Sequence, residues 1–553
     1  MTCHAVPGRC KGVCVSAEEI VDVVVLGSGA AGLTAAVAAA EEGASVLVLE
    51  KADMVGGTTA MSGGIVWMPG NHHQEGSGVE DTREMALSYL ESLSLGQIDS
   101  DMAATFVDEG PQVIRCLEER TPVAFHLLDT YPDYHPEHPG GLPDGGRSLD
   151  NDLFDYGELG ERAGRVRNHR GHAPLMLSET PLGGATEMPP ADVIGERIAG
   201  KQFGMGMALT GALLRAVLDR GIEPRLGWRA RGLVLDDGVV TGVEVETTDG
   251  PVVIGARKGV VIASGGFEWN EDLVRTFLRG PMTAPAGSPD NTGDGLEMAM
   301  AAGARLGNMR NAWWVPVIRV PGEELWGKPS VHLVLLERTR PRSLMVNGQG
   351  VRFTNEAGNY NAMGGVLHAF DASRFDYPNQ PCWLVFDHGH KRRYDVAGCP
   401  PGDDSPEWMH TAATIAGLAE LIGVDAATLE ATVARFNEHA ANGDDPDFGR
   451  GESAYDTFNG DQTLPGVQAT LGPLTEGPFH AVPVEAGALG TNGGPKTDTR
   501  CRVLASAGGV IDGLYAAGNA MAAPTGMVYG GAGGTLGPAL TFGWIAGREA
   551  ASR

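Results

Sequence analysis

A glycine-rich turn at residues 27–32, with the sequence GSGAAG, constrains the fold of this chain more than any other feature. It follows a β-branched run at 20–26 and opens an alanine-rich segment that ends near residue 42, and a second apolar run occupies 45–49. Such runs are typical of strands buried on both faces of a parallel sheet, and small residues allow a helix to pack closely on that sheet. The order predicts a β-α-β unit whose turn places a helix amino terminus against a pyrophosphate.

An acidic residue and a second glycine-rich segment strengthen this interpretation. Glu50 ends the second predicted strand, 18 residues after Gly32, where its carboxylate can accept hydrogen bonds from ribose hydroxyls. The segment VGGTTAMSGG at 55–64 follows, and its small side chains would let a wide planar ring lie along the backbone. The turn and Glu50 alone fit either a flavin or a nicotinamide dinucleotide, and an ordinary glycine turn with a surface glutamate is the alternative.

Composition narrows the classes of partner. The formal net charge is −29, which argues against nucleic acid and anionic membrane surfaces. The seven cysteines are scattered, which indicates a reducing compartment rather than a disulfide framework. Because the chain has no run of about 18 uncharged apolar residues, we expect no transmembrane segment and a cytoplasmic protein. Cys3, His4, Cys10 and Cys14 match no zinc spacing, so we predict no metal site.

Four further segments extend the pattern: ASGGF at 263–267, NTGDG at 291–295, AGN at 517–519 and GGTLG at 533–537. Together with 55–64 they resemble the flavoprotein family that includes the fumarate reductase and succinate dehydrogenase flavoprotein subunits. The resemblance covers nearly the whole chain and implies FAD as the cofactor. Members with covalent flavin carry a histidine beside the segment that matches 61–63, whereas His72 and His73 lie too far along the chain. We therefore expect FAD to be bound non-covalently.

The resemblance also implies which residues contact FAD. They lie in the two glycine-rich segments, at the ends of later strands and in the C-terminal turn, where two of them would face the pyrimidine end of the ring. The set is Gly27, Gly29, Ala30, Ala31, Gly32, Glu50, Lys51, Gly57, Thr58, Thr59, Ser62, Gly63, Gly64, Ala230, Ala263, Ser264, Gly265, Asp294, Gly518, Asn519, Thr535 and Leu536.

Length and local patterns predict a discontinuous α/β fold. A chain of 553 residues, at roughly 100–200 residues per domain, should form at least two domains. Glycine becomes less frequent after Trp313 and a helix is predicted at 426–441, whereas 513–519 and 537–550 resemble a returning sheet strand and a closing helix. We predict an N-terminal extension at 1–18, a Rossmann-like FAD-binding domain formed by 19–317 and 489–553, and an inserted α+β substrate or catalytic domain at 318–488.

Within this family the chain best resembles the 3-ketosteroid Δ1-dehydrogenases. The matching stretches are 133–137 (DYHPE), 345–360, 382–394 and 529–543. Fumarate and succinate enzymes need an arginine in the C-terminal loop to bind a dicarboxylate, but the loop at 519–533 carries no charge. The resemblance implies a small apolar ketone as substrate, with a steroid as the first choice, and leaves the electron acceptor unknown.

By resemblance, four residues form the catalytic site. Tyr529 and the N–H of Gly533 would bind the ketone oxygen, where enolate charge develops. Tyr360 would remove the α-proton on the face opposite the flavin, and Tyr134 would pass the proton onward. His135 stands where the family has a second tyrosine, so it is the alternative proton relay.

The loop after Tyr529 departs from the family. Gly530 and Ala532 stand where proline is frequent, which predicts a more mobile loop or a roomier pocket. This departure weakens the inference that the substrate is a steroid more than the inference that it is a cyclic ketone.

We therefore expect an FAD-dependent dehydrogenase that introduces a C=C bond α,β to a ring ketone, with 1,2-dehydrogenation of a 3-ketosteroid as the leading hypothesis. The alternatives are a smaller cyclic ketone, Δ4-dehydrogenation of a saturated 3-ketosteroid, and flavin-dependent reduction of an alkene as in fumarate reductases. A flavin-binding protein without turnover is disfavoured because both Tyr360 and Tyr529 are present.

Overall fold

The computed structural model describes residues 18–168 and 174–553 of the chain. The set Cys3, His4, Cys10 and Cys14, and all but the last residue of the predicted N-terminal extension, lie outside these ranges. Within the ranges, two large sheets with packed helices organise the chain, and the mixed α/β architecture predicted from the sequence is confirmed.

The larger sheet has eight strands within the described residues and contains the predicted β-α-β unit. Glu19–Leu26 pairs in parallel with Val46–Glu50 on one side and with Gly250–Ile262 on the other. Gly250–Ile262 also pairs in parallel with Val510–Ala516, so the end of the chain returns to this sheet as predicted. In spatial order the path runs Arg502–Leu504, Val510–Ala516, Gly250–Ile262, Glu19–Leu26, Val46–Glu50 and Arg225–Leu226, and Val239–Thr247 joins Gly250–Ile262 to Arg229–Asp236.

Two long helices pack side by side on this sheet. Ala30–Glu41 follows the glycine turn and Leu536–Ser552 closes the chain, which confirms both predicted helices. The helices approach closely because Gly547 has no side chain, and a Cβ at this position would lie 2.1 Å from the carbonyl oxygen of Ala35. The C-terminal helix is therefore packed against the helix whose amino terminus faces the predicted nucleotide site.

The second sheet has seven strands within the described residues. They are His332–Leu333, Ala312–Ile318, Phe479–Thr491, Cys382–Asp387 and Ser343–Asn347 in spatial order, with Ala284–Pro285 and His410–Ala412 also paired to Phe479–Thr491. The helices Ile415–Ile422 and Ala426–Asn442 bury their apolar side chains against one face, and the second of them was predicted. The strands of this sheet come from residues 284 to 491, so the sheet extends beyond the predicted inserted domain, 318–488, at both ends. The limits of that domain stay a prediction.

Shorter elements complete the chain. The small sheets pair Val66–Trp67 and Phe125–Leu128 with Ser148–Asn151, Phe154–Asp155 with Gln202–Phe203, Leu306–Gly307 with Gly494–Pro495, and Glu324–Leu325 with Lys328–Pro329. The other α-helices are Gly57–Met61, Arg83–Leu93, Ser100–Arg120, Ala191–Ala199, Met205–Asp219, Glu271–Phe277, Asp294–Ala301, Met363–Leu367, His388–Arg393 and Ala454–Phe458. In the described part of the chain, no helix combines the length and apolar character needed to span a membrane.

Candidate active site

The glycine turn closes around one end of a cavity. Gly27 directly follows the strand Glu19–Leu26, and its φ of +105° is suited to glycine. A Cβ at Gly27 would lie 2.4 Å from the carbonyl oxygen of Ala263. At the start of the following helix, the N–H of Ala30 donates to the Thr59 hydroxyl at 3.0 Å. The cap residue Gly29 has no side chain that could bond the next N–H groups, so these groups at the positive end of the helix can meet an anion.

Gly32 does not line this cavity, although the sequence analysis assigned it a cofactor contact. A Cβ at Gly32 would lie 2.0 Å from the carbonyl oxygen of Gly27. The missing side chain therefore lets the first turn of the helix pack against the loop. Gly32 shapes the turn by packing against it, and its cofactor contact stays a prediction.

Glu50 connects the turn to the second strand. The residue is buried, with 8% of its surface exposed. Its Oε2 accepts hydrogen bonds from the N–H and the hydroxyl of Ser28 at 3.0 and 2.6 Å, and its Oε1 accepts from the N–H of Ala52 at 2.9 Å. Glu50 also lines the cavity, and its contact with a ribose stays a prediction.

A charged group lies beside Glu50. Asp294 accepts hydrogen bonds from Lys51 at 3.0 Å and from Arg229 at 2.8 and 2.7 Å. Burial opposes ionisation of Asp294, but the hydrogen bonds and charges of the two cations outweigh burial and lower the pKa of its carboxyl group. With Glu50 included, two cations and two carboxylates leave this edge of the cavity without net charge, so the helix amino terminus is the feature that suits a phosphate.

A single cavity of about 630 Å³ brings the predicted site residues together. All the predicted FAD contacts except Gly32 line it, and so do Tyr134, Tyr360, Tyr529 and Gly533. The nucleotide end and the tyrosines therefore share one continuous space, although their segments are distant in the sequence.

Three tyrosines form a packed cluster at the far end of the cavity. The hydroxyl of Tyr134 donates to the hydroxyl oxygen of Tyr360 at 3.0 Å. The rings of Tyr134 and Tyr529 are stacked, with centroids 5.4 Å apart and planes 9° apart, and Tyr360 meets Tyr529 edge to face at 5.6 Å. Trp313 packs edge to face on Tyr529 at 5.4 Å and donates from Nε1 to Asn519 at 3.1 Å. These contacts hold the three phenols in defined orientations.

Burial raises the pKa of each phenol. For Tyr134, burial and then the neighbouring phenols raise the pKa well above its ordinary value. For Tyr360, burial and then Tyr529 raise the pKa well above its ordinary value, although the hydrogen bond with Tyr134 opposes the rise. Burial also raises the pKa of Tyr529, although hydrogen bonding with Tyr360 and Thr535 opposes the rise. All three phenols are therefore protonated at neutral pH and can donate hydrogen bonds.

Gly533 presents a backbone donor to the same space. Its φ is +93°, and a Cβ there would lie 2.4 Å from the carbonyl oxygen of Ile65, so glycine is required. Among the described residues, the N–H of Gly533 has no acceptor. A backbone N–H and a phenol hydroxyl on one cavity wall can together bind a developing oxyanion.

His135 points away from the tyrosine hydroxyls. Its Nε2 lies 2.6 Å from the amide nitrogen of Asn359, and its Nδ1 lies 3.5 Å from Glu137. Within the described residues it makes no hydrogen bond to the hydroxyl of Tyr134 or Tyr360. Of the two predicted relay candidates, only Tyr134 contacts Tyr360 through its hydroxyl.

Two other histidines form a group that the sequence analysis did not predict. His72 and His73 lie 2.9 and 3.0 Å from Glu118, and none of the three lines the cavity. Their ligand atoms, like those of His135, Glu137 and His138, are grouped closely enough to hold a metal ion. Because His72 and His73 lie away from the cavity, neither is placed for a covalent bond to a flavin.

Apolar side chains form most of the wall around the tyrosines, and sequence reasoning missed them. They are Ile65, Leu177, Leu182, Met205, Val331, Leu333, Leu335 and Leu489. Arg167, which also lines the cavity, is buried and paired with Asp290. These residues come from separate segments, so no local pattern could have identified them as a group.

The cavity fits a flavin dinucleotide on features of its own. The uncapped helix suits the pyrophosphate and Glu50 suits the ribose. Gly57 lines the cavity, yet a Cβ there would meet no protein atom within 4 Å. The backbone at Gly57 is therefore open to a ligand that lies along it.

Comparison with known proteins agrees with this geometry. Residues 22–536 match the FAD binding domain family. The chain is 41% identical to the 4-oxocyclohexanecarboxylate 2-dehydrogenase of Sinomonas cyclohexanicum, over 96% of this chain and 93% of that protein. It is 39% identical to the 3-oxosteroid 1-dehydrogenase of Mycobacterium tuberculosis, over 95% and 97%.

A solved structure is also similar to this chain. The 3-ketosteroid delta1-dehydrogenase from Sterolibacterium denitrificans, in complex with 1,4-androstadiene-3,17-dione, matches with a TM-score of 0.90 and 34% identity, over 97% of this chain and 100% of that one. The predicted cofactor, FAD, is thereby confirmed. The chain belongs to the FAD binding domain family, as an FAD-dependent oxidoreductase that acts on CH–CH groups and is similar to the 3-ketosteroid Δ1-dehydrogenases.

Proposed function

We propose that this protein introduces a C=C bond α,β to a ring ketone, by 1,2-dehydrogenation of a 3-ketosteroid. The observation that carries the proposal is that Tyr134, Tyr360, Tyr529 and Gly533 line the same cavity as the FAD contacts. Such a reaction needs hydrogen-bond donors at the ketone oxygen, a base at the α-carbon and an acceptor for the hydride that leaves the β-carbon. The chain supplies the first two groups.

Tyr529 and Gly533 bind the ketone oxygen. Burial keeps the Tyr529 phenol protonated, so its hydroxyl can donate to this oxygen. The N–H of Gly533 is the second donor, and its direction is set by a backbone conformation that glycine alone readily adopts. Two donors stabilise the negative charge of the enolate, which makes the α-proton easier to remove.

Tyr360 removes the α-proton with the help of Tyr134. Tyr360 first passes its own phenol proton to solvent by way of the Tyr134 hydroxyl, and that hydroxyl, which donates to the oxygen of Tyr360 at 3.0 Å, stabilises the phenolate that remains. The α-proton then passes to Tyr360. Since burial raises the pKa of Tyr360, the reaction should accelerate as the pH rises. Tyr134 is assigned the relay because His135 contacts Asn359 instead.

FAD, when bound, supplies the two-electron acceptor that takes the hydride from the β-carbon. The apolar wall keeps water away from the reacting carbons, and the packed tyrosines fix the ketone end of the ring. Both effects belong to the residues of this chain and support a neutral, apolar substrate.

The cations on the cavity wall bear on the choice between a steroid and a smaller acid. A carboxylate on the ring would need a cation, and among the described residues on the cavity wall the lysine and arginine side chains are Lys51 and Arg167. Lys51 is paired with Asp294, and Arg167 is paired with Asp290. The Nε of Arg167 has no hydrogen-bond partner among the described residues, so the preference for a steroid rests on the apolar side chains of the wall.

Dehydrogenation of 4-oxocyclohexanecarboxylate is the second candidate. The 41% identity to an enzyme of that name favours it, and the proposed roles of the tyrosines would be the same. The two candidates differ in the end of the substrate that lies away from the ketone.

A comparison of kcat/KM for separate substrates distinguishes the candidates. The purified FAD-containing protein is supplied with an artificial electron acceptor and with either 4-androstene-3,17-dione or 4-oxocyclohexanecarboxylate, and products are identified by mass spectrometry. We expect a higher kcat/KM for the steroid and a 1,4-diene product. A higher kcat/KM for the acid would replace the leading candidate with the second. A saturated 3-ketosteroid is tested in the same assay, and its reaction at the Δ4 position, with no reaction of the other two substrates, would replace both.

A further inference from the structure

Trp67 connects two segments that carry the proposed ketone site, but it does not line the cavity. It is buried, with 1% of its surface exposed. Its indole Nε1 donates to Asp133 at 2.8 Å, and Asp133 directly precedes Tyr134. Its main-chain N–H donates to the carbonyl oxygen of Gly533 at 3.2 Å. One residue therefore contacts both the relay segment and the loop that carries the ketone donors.

The indole ring of Trp67 also fills the space beside that loop. A Cβ at Gly530 would lie 2.7 Å from Cζ2 of the ring, and a Cβ at Gly531 would lie 2.4 Å from Cδ1. The glycine at 530, which the sequence analysis interpreted as a more mobile loop or a roomier pocket, instead accommodates the tryptophan. The loop packs on a rigid aromatic face.

Hydrogen bonds complete the attachment of the loop. The carbonyl oxygen of Gly530 accepts from the hydroxyl of Tyr89 at 2.7 Å and from the N–H of Tyr134 at 2.9 Å. The carbonyl oxygen of Ala532 accepts from the hydroxyl of Ser148 at 3.0 Å. With the carbonyl groups on both sides fixed, the peptide groups between Tyr529 and Gly533 have little freedom to rotate.

Asp133 gives Trp67 a fixed partner. Its Oδ2 accepts from Arg147 at 2.6 Å and from the N–H of Leu142 at 3.0 Å. Arg147 in turn donates to Asp81 at 2.6 Å, and its side chain is fully buried. A buried ion pair whose members are hydrogen-bonded on several sides holds its geometry, because moving Asp133 would break its hydrogen bonds to Arg147 and Leu142 in a site away from water.

We propose that Trp67 is a positioning residue for the reaction. It acts through Gly530, Gly531 and Asp133, and sets the direction in which the Tyr529 hydroxyl and the Gly533 N–H meet the ketone oxygen. The inference rests on the proposed function, since it assigns Trp67 to the ketone site of that reaction. Small errors in the direction of such donors lower the rate strongly, because their effect depends on preorganisation.

A double-mutant cycle tests the inference. Trp67→Phe removes the Nε1 donor and the outer ring that contacts Gly530, and we expect kcat to fall about 10-fold or more while KM changes little. Gly530→Ala places a methyl group against the intact indole and should also lower kcat. In the double variant the smaller ring leaves room for the methyl group, so kcat should exceed the value expected from independent effects.

Three comparisons keep the outcomes distinct. Trp383→Phe, a tryptophan that packs on His410 in the second sheet, is the matched control and should retain wild-type kcat. If the wild-type protein converts no ring ketone, the proposed function fails. If the wild type is active and Trp67→Phe has an unchanged kcat, the positioning role is overturned. The role is also overturned if the effects of the two substitutions on kcat are independent in the double variant. If Trp67→Phe does not retain FAD, Gly530→Ala decides the question, and an unchanged kcat in that variant overturns the proposal.

Discussion

Replacement of Tyr360 by phenylalanine isolates the proposed base. The Tyr360→Phe ring keeps its edge contacts with Tyr134 and Tyr529, whose centroids lie 5.3 and 5.6 Å away, and only the hydroxyl is lost. The Tyr134 hydroxyl then loses its acceptor at 3.0 Å, which costs about 1 kcal/mol of folding free energy because cavity water can replace that acceptor. Loss of a general base lowers the rate by roughly 10²- to 10⁴-fold.

The assay is anaerobic rapid mixing of the FAD-containing protein with 4-androstene-3,17-dione, followed through the absorbance of the oxidised flavin. We expect flavin reduction to slow by about 10² or more, with the FAD content unchanged. Tyr515→Phe is the matched control, because Tyr515 lies in the large sheet and its hydroxyl donates to the carbonyl oxygen of Glu549 at 3.5 Å. A Tyr360→Phe protein that reduces its flavin as fast as the control would refute the assignment of the base.

Three further predictions concern the ketone site, the cofactor site and a buried acid. Tyr529→Phe should lower kcat by roughly 10²-fold through loss of an oxyanion donor, and kcat within threefold of wild type would contradict this. Glu50→Gln should weaken FAD binding by about 10-fold, because an amide cannot accept all three hydrogen bonds that the carboxylate accepts. Flavin fluorescence measures the binding, and the exposed control Glu42→Gln should bind FAD as tightly as the wild type. Burial raises the pKa of Glu268 to about 7, above its value in the unfolded chain, so its contribution to stability is complete at low pH and is lost as the pH rises through about 7. The melting temperature should therefore fall from about pH 6 to about pH 8, and Glu268→Gln should remove that part of the fall.

The nucleotide half of the site could be predicted because its signals are local. Gly27 and Glu50 sit at the ends of consecutive strands, and the spacing of a β-α-β unit brings them together whatever the rest of the chain does. The motif does not reveal which of its glycines line the cavity, and Gly32 does not line it. Its close approach to the Gly27 carbonyl becomes visible only in three dimensions.

The tyrosine half depended on resemblance to a family. Nothing in the spacing of Tyr134, Tyr360 and Tyr529 indicates that they meet, since they are hundreds of residues apart and come from loops. Trp67 and Asp133 were missed for the same reason, because their contacts with the 529–533 loop join distant segments. Side chains such as Met205, which line the cavity, look like ordinary core residues in the sequence.

Anaerobic single turnover tests the central claim most directly. An amount of 4-androstene-3,17-dione equal to the enzyme-bound FAD is added to the oxidised protein, and flavin absorbance and steroid products are followed together. The account predicts that oxidised flavin disappears in step with formation of 1,4-androstadiene-3,17-dione, in equal amounts. A flavin that stays oxidised with this steroid and also with 4-oxocyclohexanecarboxylate would contradict it.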